Sequence, residues 1–442
     1  YQSLSQASSA TNNVAMGYRS LFAATTASYN TALGFYALCK NTTGASNTAS
    51  GAYALFANTT GDANTASGFG AMFCTTTADC NTAIGYQALH LNQSGECGTA
   101  LGYKALCCNT TGAGNTALGL GNLMCNSTGH RNVAVGSFTL MDNTTSSYNV
   151  GIGYIALRKN TTGAHNVAIG MKALCANTTG DHNVAVGREA LCVNTTGVYN
   201  TALGSFALYD NTTADRNTAV GYSALLRNTT GSYNVALGLC SLLTNTTASY
   251  NTAVGAYALN ANTTGAQNTA HGYYALFATT TGENNTATGY KSLQANTTAN
   301  YNTAVGGCAM YATTTGIYNT AVGFRALKTN TTGTQNVAVG YQSLCGNTCG
   351  CLNVALGMTS MQSNICGCYN TGVGAGTLEC ITTGCDNAAF GGWALRRNTT
   401  GSNNTASGYY ALNKNTTASY NTATGHYSMR TNTTGAHNTA SG

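Results

Sequence analysis

Residues 166–170, Asn-Val-Ala-Ile-Gly, are one copy of a pentapeptide, Asn-[Thr/Val]-Ala-x-Gly, that recurs along the whole chain. The first copy begins at Asn13 and the last ends at Gly442, with a copy every 17 residues and no insertion or deletion between them. Of the 26 copies, all keep the final Gly, 25 keep the leading Asn and 24 keep the Ala. A short fixed period is typical of a solenoid, in which each repeat is one coil stacked on the next.

A full coil has 17 positions, numbered here from 0 at the leading Asn: N-[TV]-A-x-G-x-x-A-L-x-x-N-T-T-G-x-x. Position 3 is apolar in 19 of 26 copies, and position 8 is Leu or Met in every copy that reaches it. Gly at position 4 ends a short strand and allows a positive φ at a corner. We predict an all-β fold, a parallel β-solenoid (β-roll) of 26 coils with a 17-residue repeat and two short strands per coil, at positions 0–4 and 5–8.

The Asn-Thr-Thr-Gly segment at positions 11–14 has the composition of a turn, because Asn bonds its own backbone and Gly adopts unusual φ values. Asn side chains in stacked coils, about 4.8 Å apart, can also form amide ladders along the axis. The unbroken period predicts a single continuous β-solenoid domain over residues 1–442. A whole number of repeats without a distinct capping coil suggests a slice of a longer fibre or a subunit of a head-to-tail filament.

Charge is sparse and spread along the chain. Charged residues are 6% of the composition, and the net charge of +6 comes from 17 Lys and Arg that form no basic block in the sequence. Nucleic acid is not expected as a partner, because phosphate binding requires clustered cations. No apolar stretch of about 20 residues is present, so membrane insertion is not expected.

The sequence leaves two arrangements of the first strand open. In one, position 3 lines the interior and the Ala of position 2 faces out, which gives a monomer. In the other, the small Ala faces the interior, and positions 1 and 3 form an outer column that copies of the chain share in a homo-oligomer, with a trimer favoured. Polar residues interrupt position 3 at Ser50, Ser67, His271, Thr288, Ser407, Thr424 and Ser441.

Many of the 18 Cys recur at the same position of neighbouring coils. A separation of about 4.8 Å between Cα atoms one coil apart is compatible with a disulfide, which would suit an oxidising, extracellular setting. The alternative is free thiols packed as small apolar side chains. The Cys spacing follows the coil and not the Cys-x-x-Cys grouping of zinc sites, so no metal site is predicted. The candidate disulfide residues are Cys80, Cys97, Cys108, Cys125, Cys175, Cys192, Cys349, Cys366, Cys351, Cys368 and Cys385.

Two further sets of side chains are candidate surface sites. Several turn Asn residues complete N-x-Ser/Thr sequons and are candidate glycosylation sites, although the turn role alone explains them. Tyr residues before the leading Asn are candidates for binding sugars or neighbouring fibres, or they simply cover the apolar seam with their hydroxyls in water. The glycosylation candidates are Asn41, Asn58, Asn126, Asn211, Asn262, Asn330, Asn398 and Asn432, and the surface-binding candidates are Tyr29, Tyr148, Tyr199, Tyr233, Tyr301 and Tyr420.

An enzyme is not predicted. The seven His and eleven acidic residues do not group with a nucleophile or as paired carboxylates. The Gly residues follow the coil period and form no phosphate-binding loop between a strand and a helix. We therefore predict no catalytic residues and no cofactor.

The pentapeptide at residues 166–170, followed by Ala173, resembles the head repeat of trimeric autotransporter adhesins, whose similar Ala-Ile-Gly-x-x-Ala core forms a left-handed parallel β-roll. The longer form at residues 217–225 and 228–231 also looks like repeats in viral tail-fibre and bacterial surface proteins. The resemblance covers the whole chain, although the adhesin repeat is usually shorter. It implies the shaft or head of a fibre on a cell or virion surface.

These observations favour a structural fibre or filament protein that forms a rigid extracellular or virion-surface rod, and an adhesive use is compatible with this role. Self-association is the expected partnership. The alternative is an adhesin module that binds carbohydrate or a host surface. Ice binding through Thr columns is a third, remote reading, weakened because position 1 changes to Val in eight copies and interrupts the hydroxyl array.

Overall fold

The structure, a computed structural model, describes residues 2–442, which fall into two compact units, residues 2–217 and Thr218–Gly442. Each unit is a parallel β-solenoid in which a three-residue strand in one coil pairs with the same strand of the next coil. The predicted all-β solenoid with a 17-residue coil is confirmed. Whether the chain forms one continuous domain stays a prediction.

The strands occupy positions 1–3 of each coil. In the first unit they are β1 Val14–Met16, β2 Thr31–Leu33, β3 Thr48–Ser50, β4 Thr65–Ser67, β5 Thr82–Ile84, β6 Thr99–Leu101, β7 Thr116–Leu118, β8 Val133–Val135, β9 Val150–Ile152, β10 Val167–Ile169, β11 Val184–Val186 and β12 Thr201–Leu203. In the second unit they are β13 Thr218–Val220, β14 Val235–Leu237, β15 Thr252–Val254, β16 Thr269–His271, β17 Thr286–Thr288, β18 Thr303–Val305, β19 Thr320–Val322, β20 Val337–Val339, β21 Val354–Leu356, β22 Thr371–Val373, β23 Ala388–Phe390, β24 Thr405–Ser407, β25 Thr422–Thr424 and β26 Thr439–Ser441.

β-Branched residues at position 1 favour the strand, and Gly at position 4 ends it. At the end of β10, Gly170 has a φ of +130°, and a Cβ added there would lie 2.6 Å from the carbonyl oxygen of Gly187 in the next coil. A side chain at this corner would therefore be strained and would also collide with the neighbouring coil. Both effects account for the invariance of this Gly across the repeats.

The predicted second strand at positions 5–8 is wrong, since each coil contains one strand. Positions 6 and 8 take left-handed backbone angles, as at Lys172 (φ 58°) and Leu174 (φ 49°), so the chain curls here and does not extend. The segment still bonds both neighbouring coils: Lys172 N–H donates to Tyr154 O at 3.0 Å, and Leu174 N–H donates to Ala190 O at 3.0 Å. These bonds and the burial of Leu174 offset the local cost of about 1–2 kcal/mol for each left-handed non-glycine residue.

The core of each coil consists of Ala at positions 2 and 7 and Leu at position 8. Ala168, Ala173 and Leu174 are completely buried. Ile169, at position 3, is exposed, so the arrangement with position 3 in the interior and Ala outside is wrong. Small Ala side chains allow the two walls of the coil to approach closely, which leaves no interior room for the larger position 3.

Two columns of buried Asn complete the core, and they confirm the predicted amide ladders. At position 11, Asn177 Nδ2 donates to Asn160 Oδ1 at 2.9 Å and to Gly180 O at 2.9 Å. At position 0, Asn166 Nδ2 donates to Gly180 O at 2.8 Å, and its Oδ1 accepts from Asn183 N–H at 2.9 Å. Where the columns are intact, a buried amide thus has a partner on both its donor and its acceptor side, as buried polar groups require.

The position-11 ladder breaks where Thr replaces Asn. In three coils the Thr hydroxyl makes no hydrogen bond to the Asn Oδ1 of the preceding coil, and that Oδ1 is buried without a partner. An unsatisfied buried acceptor of this kind costs about 1–3 kcal/mol. The affected pairs are Asn58 before Thr75, Asn262 before Thr279 and Asn296 before Thr313.

In residues 2–442 no helix is both long and apolar enough to span a bilayer.

Candidate functional site

The outer side of the strands carries the side chains of positions 1 and 3, which we call the strand face. Its aliphatic side chains are substantially open to water: Ile84 is 41% exposed, Leu101 47% and Ile152 38%. No Lys, Arg, Asp or Glu occurs at positions 0–4 of any coil, so the strand face carries no formal charge apart from the titratable His271. Parallel sheets are usually covered on both sides, and a contiguous exposed apolar surface is typical of an interaction site.

Charged side chains are confined to other positions of the coil. The columns at positions 5, 6, 9 and 10, here called the basic columns, hold seven of the nine Lys and Arg of the first unit and all eight of the second. Seven of the eleven acidic residues instead lie at positions 15 and 16. Lys and Arg residues that are far apart in the sequence thus lie in the same few columns of each unit.

Position 15 has a structural role that the sequence did not reveal. Its side chain accepts a hydrogen bond from the backbone N–H at position 15 of the preceding coil. Asp181 Oδ1 accepts from Ala164 N–H at 2.6 Å, and the Cys368 sulfur accepts from Cys351 N–H at 3.1 Å. Asp, Ser, Asn and Cys therefore recur at this position because each has an acceptor atom at short reach.

The six candidate Tyr side chains are exposed, but neighbouring rings cover several of their faces. Tyr148 stacks on His165 with ring centroids 5.0 Å apart, and Tyr301 stacks on Tyr318 at 5.0 Å. Ring edges and hydroxyls are presented to solvent in these stacks, whereas a sugar ring packs best on an open aromatic face. The exposed residues are Tyr29, Tyr148, Tyr199, Tyr233, Tyr301 and Tyr420.

The position-16 column has a gap at Gly114. The gap opens a surface notch of about 440 Å³ lined by Glu96, His130, Arg131 and Tyr148, among others. Arg131 Nη1 donates to the Tyr148 hydroxyl at 2.8 Å, and Nδ1 of His130 accepts from Ala113 N–H of the preceding coil at 3.0 Å. The Arg131 and His130 side chains of the notch are therefore engaged with the solenoid itself.

The Cys columns produce one disulfide among the described residues, between Cys349 and Cys366, whose Cα atoms are 4.8 Å apart. This predicted pair is confirmed. The sulfur atoms of Cys351 and Cys368 lie 2.9 Å apart as thiols. The other candidates are free thiols in this structure, and their oxidation stays a prediction: Cys80, Cys97, Cys108, Cys125, Cys175, Cys192, Cys351, Cys368 and Cys385.

Stacked thiols also shift each other's acidity. A hydrogen bond from Cys192 lowers the pKa of the Cys175 thiol to about 7, and the same bond raises the pKa of Cys192. Lys159 and Arg158 also stabilise the Cys175 thiolate, whereas burial alone raises the pKa of Cys345. Cys175 is therefore a thiol with an increased thiolate fraction near neutral pH.

The sequon Asn residues lie in the position-11 ladder. Seven of them are completely buried, and Asn432 is half-buried, with its Nδ2 donating to Asn415 Oδ1 at 3.1 Å. A glycan on Nδ2 would replace a donor hydrogen inside the core, so the folded coil does not accommodate glycosylation at the seven buried sites. Those sites are Asn41, Asn58, Asn126, Asn211, Asn262, Asn330 and Asn398.

Within residues 2–442, no three His, Cys, Asp or Glu side chains converge in a way that could hold a metal ion. No protein-family model matches this chain, and no curated protein matches it. The resemblance to adhesin and tail-fibre repeats therefore rests on the repeat alone, and the strand face and the basic columns are the surfaces from which a function can be argued.

Proposed function

We propose that this chain is a structural segment of an extracellular or virion-surface fibre and assembles as a homotrimer through its strand face. The observation that carries the proposal is the exposed aliphatic column at position 3 beside an equally uncharged position 1. Burying such surface releases about 25 cal/mol for each Å² of apolar area removed from water. A column repeated in many coils adds this gain coil by coil.

A second copy of the chain is well suited to cover this column. Every copy has the same coil spacing, so side chains on two strand faces can interdigitate in one register along their length. Neither face introduces a formal charge from Lys, Arg, Asp or Glu, so no such charge is desolvated when two faces meet. The choice of three copies follows the adhesin resemblance.

Sedimentation equilibrium tests the proposal. A monomer has a mass of 45.1 kDa, and a trimer has about three times this mass. The double variant Ile152→Glu/Ile169→Glu places charges on the strand face and is expected to yield monomers with an unchanged β-sheet circular dichroism spectrum. The control Thr162→Glu/Thr179→Glu adds the same charge at exposed position 13 of the same region and is expected to remain trimeric. A monomeric wild-type chain at micromolar concentration would refute the proposal.

A surface-binding adhesin is the second candidate, supported by the exposed Tyr residues of position 16. Binding of the wild-type chain to a glycan array, abolished by Tyr→Ala changes in this column, would favour it over a purely structural role. The remote ice-binding alternative is tested by thermal hysteresis, and its absence would remove that alternative.

A further inference from the structure

The second unit, Thr218–Gly442, has an uneven distribution of charge around its coil. It contains eight Lys and Arg, all in the basic columns, and three acidic residues. Of these acids, Glu379 alone lies in the basic columns, where its Oε2 accepts from Arg396 Nε at 2.6 Å. Glu283 and Asp386 lie at positions 15 and 16. The basic columns of this unit therefore carry a large excess of positive charge.

The excess is most concentrated in three successive coils. Arg397 and Lys414 occupy position 10 of adjacent coils, and Arg430 follows at position 9 of the next coil, with Lys414 N–H donating to Arg430 O at 3.0 Å. All three side chains are exposed, and none forms an ion pair with any residue in the described range 2–442. We call these three residues the basic patch.

The spacing within the patch is short. The Cα atoms of equivalent residues in adjacent coils of this unit are 4.8 Å apart at Cys349 and Cys366. Like charges 4 Å apart in water repel by about 1 kcal/mol. An external anion that pairs with these cations would remove such repulsion.

Aromatic rings line the patch, and the faces between successive rings are closed by stacking. Trp393 stacks on Tyr410 with centroids 5.3 Å apart, and Tyr410 stacks on Tyr427 at 5.4 Å. One end of the stack is closed by Gly376, where an added Cβ would lie 2.6 Å from Trp393 Cδ1. The Arg430 guanidinium lies beside the stack, 4.7 Å from the centre of the Tyr427 ring and 5.3 Å from the centre of the Tyr410 ring. The stack therefore holds Arg430 in place and offers ring edges and hydroxyls to a ligand.

We propose that the basic patch binds an acidic polysaccharide, a sugar chain bearing carboxylate or sulfate groups, lying along the solenoid axis. The anionic groups pair with Arg397, Lys414 and Arg430, and the sugar hydroxyls hydrogen-bond the tyrosine edges. Single-stranded nucleic acid fits less well, because its bases bind by stacking on open aromatic faces, whereas the faces between these rings are occupied by the rings themselves. A lipid surface also fits less well, because the exposed rings beside the patch are those of Tyr409 and Tyr427, which carry hydroxyls, and not the Trp, Phe or Leu side chains that insert into a membrane interface.

The test uses the full-length chain immobilised for biolayer interferometry. Polygalacturonate presents carboxylates, dextran sulfate presents sulfates, and neutral dextran is the uncharged control. Oligo(dT) and vesicles containing phosphatidylserine represent nucleic acid and membrane. The triple variant Arg397→Gln/Lys414→Gln/Arg430→Gln removes the patch, and Arg227→Gln/Lys291→Gln/Lys328→Gln removes equal charge from the same columns in separate coils.

We expect an acidic polysaccharide, but not neutral dextran, to bind at low ionic strength and to weaken as salt is added. The patch variant is expected to lose about 10- to 30-fold in affinity, from three surface ion pairs of modest strength, and the dispersed variant to lose much less. Binding to polygalacturonate alone or to dextran sulfate alone identifies the anion.

Three results would overturn the proposal: no binding of either acidic polymer, equal losses in both variants, or tighter binding of oligo(dT) or vesicles than of the polysaccharides. The proposal does not depend on the self-association proposed above, because the strand face and the basic columns occupy different positions of the coil. If the chain does not form trimers, sedimentation equilibrium gives a monomer mass. If the basic patch does not bind acidic polysaccharide, the interferometry measurements show no binding that depends on the patch.

Discussion

Restoring a broken amide ladder should stabilise the solenoid, and Thr75→Asn is the sharpest test of this reasoning. In the present chain Asn58 Oδ1 and Thr75 Oγ1 are both buried without a hydrogen-bond partner. The new amide is positioned to donate to Asn58 Oδ1, as Asn177 does to Asn160 at 2.9 Å in an intact part of the ladder. One rescued buried acceptor is worth about 1–3 kcal/mol.

The substitution is also sterically reasonable. The turn at this coil ends in Ala78 and not in Gly, and the ladder tolerates that combination elsewhere. Asn211 Nδ2 donates to Ala214 O at 3.0 Å in the turn Asn-Thr-Thr-Ala, which is the turn that Thr75→Asn creates at residues 75–78. The gain is therefore not expected to be cancelled by overpacking.

Hydrogen exchange with mass spectrometry measures the effect locally, which suits a repeat protein whose coils open semi-independently. We expect amides in residues 55–92 to exchange about 5- to 150-fold more slowly in the variant, as a gain of about 1–3 kcal/mol requires. Thr77→Asn, at an exposed position outside the ladder, is the matched control and should change stability by less than about 0.5 kcal/mol. Unchanged or faster exchange in Thr75→Asn would refute the ladder argument.

Three further predictions follow from the core, the disulfide and the thiols. Gly170→Ala should lower the free energy of local opening, measured by hydrogen exchange, by more than about 3 kcal/mol, because φ is +130° and the new Cβ meets a carbonyl oxygen at 2.6 Å. The control is Gly307→Ala at position 5, where φ is not positive and the atom nearest to the new Cβ is a Phe324 ring carbon at 3.3 Å. The double change Cys349→Ser/Cys366→Ser should cost up to about 3 kcal/mol of stability against guanidinium, since the disulfide closes a short loop, whereas the same change at a stacked free-thiol pair should not. Iodoacetamide should alkylate Cys175 at a rate that rises through about pH 7 and then levels off, because the pKa of this thiol is about 7. The rate at Cys345, whose pKa is raised, should still be rising above pH 9. Indistinguishable pH profiles of the two alkylation rates, measured by peptide mass spectrometry, would contradict this prediction.

Much of the fold could be predicted because the repeat period shows which residues contact each other in neighbouring coils. A residue and its equivalent 17 positions later are neighbours in stacked coils, so the period, the Gly corner and the stacked Asn follow from spacing alone. Spacing also brings Cys349 next to Cys366, but it does not single out this pair, because other Cys with the same spacing are free thiols. The second strand was mispredicted because residues such as Lys172 and Leu174 have no local preference for a left-handed backbone. Stacked coils impose that conformation through hydrogen bonds between residues of neighbouring coils, which are too far apart in the sequence to appear in a local pattern.

The candidate surfaces were predicted less completely. The exposed Tyr column was identified, but its partly closed ring faces were not, because stacking depends on which rotamer each ring adopts beside its neighbour. The sequons were interpreted as surface loops, yet the Asn side chains lie in the core, where each coil supplies the next with a partner. The basic patch was missed because Arg397, Lys414 and Arg430 are apart in the sequence and meet only through the coil.

The sequence by itself determined the period, the parallel stacking of coils and the corner at each invariant Gly, because these features depend only on which residues recur every 17 positions. The tertiary structure alone decided which side of the strand is the interior. Thr or Val, Ala and an aliphatic residue alternate along positions 1–3, and all are compatible with burial, so the pattern has no clearly polar side. The space left between walls lined by Ala173 and Leu174 admits the Ala168 methyl group and no larger side chain, and this exclusion turns the aliphatic column outward.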